Sequence, residues 1–402
     1  MITSGQAHDA ILATMPDFEA ESISVNASVG RALRQGVVAE RDQPPFDRVM
    51  MDGIAISCGD FESGTRNFPI QSVQAAGDEP LTLQQGNCIE IMTGASLPNG
   101  ADCIVPVERL RVDNNVAGIE ADYKAKQRQF IHRRGSDHTK GTELLASGKR
   151  ISPMDIAIIN SCGLTAVDCS KSPAIAVIST GNELVPAGEP IKEHQIRMSN
   201  GPAVVSMLEQ HGYVNCEHDH LIDEPTLLEE KIGQHLDNSD ILILSGGVSM
   251  GKSDYIPHVL ENLGVSVVFH KISQRPGKPM WFGMGPKNQA VFALPGNPVS
   301  TLLCCRQYVI PALNVASGLR RKQPEFAALT QDVEFKPKLT CFLPVKLLSN
   351  TNGQVLAMPV QTNTSGDFAS LSGTDGYVEL PLEESRFAAG KPVKLYRWLF
   401  DI

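Results

Sequence analysis

The chain has 402 residues, 42% of them apolar and 20% charged, with a formal net charge of −10 and a pI near 5.5. That length excludes a single small core and predicts two to four domains of ordinary globular composition. The acidic balance excludes nucleic-acid binding through a dominant basic surface, while leaving room for a local basic pocket.

The first residues, MITSGQAHDAIL, lack a basic n-region and a continuous apolar stretch, so no secretory signal is expected. Residues 1 to about 40 read as helical: Ala10, Ile11 and Met15, then Val29 and Leu33, recur at steps of three and four, with Ser28 a candidate cap. From Gln43 the texture changes to short β-like runs over 53–57, 68–74, 88–93 and 101–107, broken by Gly, Pro, Asn and Asp. Beyond Pro173 strands and helices alternate. Strands are predicted over 174–179, 240–245, 265–270 and 291–294. Helices are predicted after Ser199 and Asn200 (Val204, Val205 and Leu208 on one face, stopped by Gly212), over 255–263 and over 299–313. Such alternation predicts a parallel sheet with both faces covered and ligands at the carboxyl ends of its strands. After about Arg320 the chain is β-rich again, with turn signals at Asn352-Gly353 and Asp375-Gly376. Nowhere does an apolar run approach 18 residues, so no membrane span is expected. Nine scattered cysteines without C-x-x-C or zinc spacing predict buried, reduced thiols and a cytoplasmic location.

Three Gly- and Pro-rich loops fall at predicted strand ends: 178–185 (ISTGNELV), 245–254 (SGGVSMGKSD) and 294–300 (LPGNPVS). Small residues there let backbone N–H groups approach an oxyanion. Residues 246–253 also fit G-x-x-x-x-G-K-[ST], the phosphate loop of P-loop nucleotidases, but no later apolar strand ends in the Asp that such enzymes use to hold magnesium. Glu183 and Asp254 put carboxylates beside the anion-binding amides, an arrangement that calls for Mg²⁺ between them. His270, Lys271, Arg275 and Lys278 supply positive charge over one short stretch. Metal ligands, acidic groups and basic anion grips together fit cleavage or transfer at phosphate. Taken singly, Asp52 could cap a turn with Gly53, Asp137 could pair with Arg133 or Arg134, and Asp223 could cap the helix after Pro225.

Longer motifs add a resemblance. Residues 44–56 (PPFDRVMMDGIAI), 91–108 (IMTGASLPNGADCIVPVE) and 130–137 (FIHRRGSD), then STGNELV, IRMSN, SGGVSMGKSD, RPGKP and LPGNPVS, occur in order along nearly the whole chain. In this the chain resembles the MoeA family of molybdopterin molybdenumtransferases, related to the E domain of gephyrin-type proteins. The resemblance implies an α/β and β multidomain fold. Its parts would be an N-terminal linking domain (1–41 plus 138–169), an inserted mostly β domain (42–137), a central parallel-sheet α/β domain of the molybdopterin-binding type (170–318) and a C-terminal β domain (319–402).

It implies insertion of molybdate into adenylylated molybdopterin with Mg²⁺-dependent release of AMP, in a homodimer, with a molybdopterin adenylyltransferase as donor of the substrate. Under it Asp52, Glu183, Asp223 and Asp254 are catalytic, the last three also metal-linked. Thr93, Asp137, Thr180, Gly181, Ser245, Gly246, Gly247, Ser249, Gly251, Pro295, Gly296 and Asn297 bind substrate. Arg275, Lys278, Pro279 and Ser300 grip molybdate. The family's active site joins two subunits, Asp52 and Thr93 from one and Glu183, Asp223 and Asp254 from the other.

The chain departs from the family pattern at Asn182 and Met198, where Asp is usual, at Arg275, where Lys is usual, and at Pro344, where an F-x-R arginine is usual and Lys346 is the nearest substitute. A pterin carrier without turnover and a P-loop ATPase using Lys252 are the competing readings.

Overall fold

A computed structural model describes residues 1–247, 255–361 and 366–399. The chain divides into two compact units: residues 1–35, 147–153 and 166–402 form one, and 36–146 with 154–165 form the other. Among the described residues no helix is long and apolar enough to cross a membrane.

The larger unit is built on a six-stranded sheet, whose elements are numbered here along the chain. Its strands are β1 (Ile175–Thr180), β2 (Cys216–Leu221), β3 (Ile241–Ser245), β4 (Ser266–His270), β5 (Trp281–Met284) and β6 (Ala290–Leu294), in the order β2-β1-β3-β6-β5-β4. The sheet is mixed. The first four strands in that order run parallel, whereas β5 is antiparallel to both β6 and β4. The wholly parallel sheet expected from alternation fails at this edge because only the short turn 271–280 joins β4 to β5, too little chain for a crossover helix.

Alternate residues of each strand feed two cores, which is why the strands read as unbroken apolar runs. Ile175, Val177, Ile241, Ile243 and Phe292 pack with Val204 and Leu208 of α1 (Asn200–Gln210) and with Ala7 and Ile11 of the helix Ser4–Thr14. Ala176, Ile178, Leu242, Leu244 and Val291 pack with Leu228 and Ile232 of α2 (Pro225–Asn238) and with Val259 and Leu260 of α3 (Ile256–Asn262). The helix expected over 299–313 is interrupted: Pro298–Cys304 is α-helical, Cys305–Val309 is π-helical, and Ile310–Ala316 is α-helical again. Pro311 lacks the N–H that would bond the carbonyl of Gln307 and its ring crowds that carbonyl, so the ladder widens just before it.

The N-terminal forty residues are helical only over Ser4–Thr14, opened by a reciprocal Thr3–Gln6 capping box. Pro16 follows directly and disfavours continuation. Ala20–Ser24 is instead a strand paired antiparallel with Ala166–Ser170, so Val29 and Leu33 share no helix with Ile11. In the C-terminal part, Thr340–Ser349, Val355–Pro359, Glu325–Leu329, Pro392–Arg397 and Gly376–Leu380 pair in that order, and the last strand returns to the first, closing a small barrel. The Asn352-Gly353 turn connects the first two of these, with Gly353 at φ +76°. Asp375-Gly376 is no hairpin turn: Gly376 begins a strand where a Cβ would lie 2.3 Å from the Tyr396 carbonyl oxygen.

The smaller unit carries a second six-stranded sheet, ordered Cys103–Pro106, Gly53–Ile56, Cys88–Ile91, Asn67–Gln74, Val116–Ile119 and Leu110–Asp113. Ile54 and Ile56 face one core with Phe61, Phe68 and Val105, while Ala55 faces another with Val49, Ile91 and Ile131. All nine thiols are free and eight are buried, Cys216 being half-buried; burial pushes Cys88 and Cys103 up to about 12.

Candidate active site

The register of the parallel strands sets Ser179 beside Ser245, Ser245 beside Leu294, and Thr180 beside Leu221. Four loops therefore leave the sheet side by side, beginning at 181, 222, 246 and 295, at the carboxyl ends where α/β sheets bind ligands. They touch backbone to backbone. A Cβ on Gly246 (φ +108°) would sit 2.5 Å from the Thr180 carbonyl oxygen, and one on Gly247 (φ +63°) would sit 2.7 Å from Ile256. Gly296 lies over the Gly246 Cα, which a Cβ would approach to 3.6 Å. Thr301 Oγ1 donates to the carbonyl oxygens of Pro295 (2.5 Å) and Asn297 (3.0 Å), fixing the LPGNP turn.

Asn200 ties these loops together, a role that the sequence had suggested only as a helix cap. Ser199 takes the cap position of α1 without a side-chain bond. The Asn200 Nδ2 instead donates to Ser245 Oγ at 3.0 Å and to the Gly296 carbonyl at 2.7 Å. Its Oδ1 and the Oγ1 of Thr180 are buried and have no hydrogen-bond partner among the described residues. Unpaired buried polar atoms are costly unless something supplies the missing bond, and these two lie at the head of one sheet. The signal for Asn200 was IRMSN, its last residue.

Around Gly181 the acidic wall takes shape. Gly181 adopts φ +147°, and a Cβ there would lie 2.7 and 2.8 Å from the two carboxylate oxygens of Glu183, so that carboxylate folds back over the glycine. The Asp223 amide donates to Asn182 Oδ1 at 3.0 Å. Asn182 thus keeps the acceptor that an aspartate would offer and loses only its charge. Asp223 does not cap α2. Glu224 does, accepting from the Leu227 amide at 2.6 Å. Among the described residues no group of three His, Cys, Asp or Glu side chains could hold a metal. Ser249, Gly251, Lys252 and Asp254 lie outside the described residues.

The RPGKP turn is held rigidly. Gln274 is fully buried, donates to the Pro276 carbonyl at 3.0 Å and accepts from Tyr308. The Arg275–Pro276 bond is cis, and Gly277 (φ +91°) leaves no room for a Cβ, which would meet Cys304 Sγ at 2.4 Å. Arg275 and Lys278 are exposed on this turn and Pro279 is half-buried between them and Met280. Ser300 is buried on the helix that carries Cys304, four residues earlier and so on the same face, which aims it to the side of the RPGKP turn. Lys346 does not reach this place. Arg275 pairs with Cys341, and Lys346 lies five residues further along that strand, about 16 Å away.

In the smaller unit Asp52 accepts from the Thr93 amide at 2.6 Å and from Thr93 Oγ1 at 2.8 Å. Those two bonds, the amide first, hold its carboxyl below the ordinary carboxylate value. The next residue must be glycine: at φ +154° a Cβ on Gly53 would lie 2.0 Å from the Val105 carbonyl oxygen. Asp137 pairs with neither preceding arginine. It accepts from His132 Nε2 at 2.9 Å, while Arg48 donates to His132 Nδ1 at 3.1 Å, which fixes the ring's tautomer. Arg134 pairs with Asp42 instead, at 2.8 Å.

Comparison with known proteins agrees along the whole chain. Residues 2–163 match the MoeA N-terminal region (domain I and II), 176–315 a probable molybdopterin binding domain, and 327–398 the MoeA C-terminal region (domain IV). A molybdopterin molybdenumtransferase of Synechocystis sp. is 36% identical over 400 residues, covering 99% of this chain and 100% of the relative. One from Haemophilus influenzae is 29% identical over 404 residues, 98% of each chain. The crystal structure of a molybdopterin biosynthesis MoeA protein from Pyrococcus horikoshii superposes with a TM-score of 0.82 at 29% identity, covering 100% of both chains. With fold, loops and sequence in agreement over its full length, the chain belongs to the MoeA family of molybdopterin molybdenumtransferases, transferases of molybdenum cofactor biosynthesis.

Proposed function

We propose that the chain inserts molybdate into adenylylated molybdopterin and releases AMP, using the loops at the head of the α/β sheet to hold the pyrophosphate. The single observation that carries this reading is the meeting of Thr180, Gly246, Gly247 and Gly296, with Asn200 bonded to Ser245 and Gly296 and two buried polar atoms left without partners among the described residues. Glycine-lined amides and the Thr180 hydroxyl donate to phosphate oxygens, and Asn200 Oδ1 accepts from a hydroxyl or amino group elsewhere on the ligand.

The carboxylates of the acidic wall suit a magnesium ion in kind. Glu183 and Asp223 offer hard carboxylate oxygens from adjacent loops, and Asp254 is the third donor of the set. When bound, magnesium neutralises phosphate charge as the anhydride breaks. Glu183, folded over Gly181, keeps its carboxylate beside the same loop and orients the water that attacks the anhydride. Arg275 and Lys278 grip molybdate, the second substrate, with Pro279 and Ser300 completing that wall. The planar guanidinium of Arg275 offers paired donors to a tetrahedral dianion where lysine would offer a point charge.

We propose further that the chain works as a homodimer, in which Asp52, Thr93 and Asp137 of one subunit complete the site of its partner. The exposed apolar side chains near Asp52 support this: Phe46, Met50 and Met92 are 41%, 51% and 36% exposed. The four segments expected from the sequence would be its domains, and a molybdopterin adenylyltransferase its donor. The decisive experiment incubates the purified protein with adenylylated molybdopterin, molybdate and Mg²⁺, and measures AMP release and molybdenum cofactor formed. Asp254→Ala and Glu183→Ala should abolish both in a folded protein. Binding of the pterin without AMP release by the wild-type chain would overturn the reading in favour of a carrier.

A further inference from the structure

We propose that His220 is a positioning residue of the phosphate-holding loop, which it orients through the carbonyl of Gly181. The inference rests on the functional reading above and assigns a role to a histidine that none of the motif segments contains.

His218 and His220 lie two residues apart on β2, the edge strand beside β1, so both rings face the same side of the sheet. Both lean toward the carboxyl end. His218 Nε2 is 3.0 Å from Ser179 Oγ, and His220 Nε2 is 3.0 Å from the Gly181 carbonyl oxygen. The first ring also sets where α1 begins, since a Cβ on Gly201 would lie 2.0 Å from His218 Nε2. His220 acts on the loop itself. A carbonyl only accepts, so Nε2 of His220 carries the proton and donates it.

The peptide bond joining Gly181 to Asn182 is planar and trans, so its C=O and N–H point in opposite directions. Holding the carbonyl toward His220 therefore aims the Asn182 N–H away from the strand. That N–H has no partner among the described residues. Glycine at 181 gives the peptide rotational freedom that a substituted residue would lack, and freedom without an anchor would spread the amide over several directions. The Leu184 amide, at 3.4 Å from the same carbonyl, is too long to hold it alone. His220 is the anchor, and the Asn182 amide is the group it presents to a phosphate oxygen.

A donor that meets phosphate equally in ground and transition states changes KM and leaves kcat alone. His220→Leu should therefore raise the KM for adenylylated molybdopterin, and the dissociation constant of AMP, roughly threefold to tenfold, the worth of one hydrogen bond, with kcat within about twofold. His220→Gln, whose amide can replace the Nε2 donor, should recover most of the loss. Equal impairment of both variants, or an unchanged KM in His220→Leu, would overturn the proposal. Ring nitrogen-15 shifts of His220 in the wild-type chain give a test that no variant's folding can confound. Protonation on Nε2 is expected, and a ring protonated on Nδ1 alone would overturn the role. A wild-type chain that neither binds AMP nor turns over the pterin defeats the functional reading itself; normal wild-type turnover with an indifferent Leu variant defeats only the assignment of His220.

Discussion

Replacing Asn200 with alanine removes a side chain that links the start of α1 to both the Ser245 and Gly296 loops. Two hydrogen bonds disappear, at 3.0 and 2.7 Å. At about 0.5–1.5 kcal/mol each, the loss to stability is about 1–3 kcal/mol. For a folding unit of this size that corresponds to a fall in Tm of about 2–10 °C, read from the transition of the larger unit by calorimetry. Binding should suffer separately, because the unpartnered Oδ1 is lost as well and the loops are no longer held in register. Equilibrium dialysis with AMP is the matching assay. Asn200→Asp should be worse than Asn200→Ala, since a carboxylate oxygen would then face the Gly296 carbonyl oxygen where a donor stood, and two acceptors at that distance repel. An Asn200→Ala protein with unchanged Tm and unchanged AMP affinity would refute the reasoning, and so would an Asp variant better than the Ala variant.

Thr93→Val keeps the Thr93 amide bond to Asp52 but removes the hydroxyl bond, so the Asp52 carboxyl should titrate closer to its ordinary value by carbon-13 NMR; an unmoved midpoint would contradict the hydrogen-bond cause. Because that pKa is depressed in the folded chain, its stabilising effect is present above the unfolded value and disappears as pH falls through the folded one. His211 has the opposite chemistry and the same acid sensitivity: burial lowers it from 6.5 to about 4, so the unfolded chain binds more protons between those values. Stability should fall by up to about 3 kcal/mol as pH drops from 6.5 to 4, and His211→Phe should flatten that slope in denaturant titrations. Gly277→Ala, at φ +91° with Cys304 Sγ 2.4 Å from the new Cβ, should cost clearly more than the about 1–2 kcal/mol of left-handed backbone strain alone. Gly353→Ala, at φ +76° but in open space, should cost only the backbone strain of about 1–2 kcal/mol, and equal losses at the two sites would show that crowding is not the cause.

By itself the sequence determined the strand-and-helix alternation after Pro173, the two buried faces of strands such as Ile241–Ser245, and the glycine-bearing loops that follow them. Each is written in local spacing, and the apolar period of a doubly covered strand needs no partner to be read. The family motifs carried the candidate residues in the same way, through short segments whose backbone demands glycine or proline at fixed positions. Tertiary structure decided the rest. It turned residues 20–24 into a strand by supplying 166–170 as a partner, and it reversed β5 because the connection from β4 is short. It made Glu224 rather than Asp223 the helix cap, and His132 rather than an arginine the partner of Asp137. It also brought Asn200 and His220 to loops far away in sequence, Asn200 reaching Gly296 and His220 reaching Gly181. Such choices depend on which of several competent neighbours the packed fold holds within hydrogen-bond distance. That is a property of the packed sheet, in which residues distant along the chain become adjacent, and no local pattern records it.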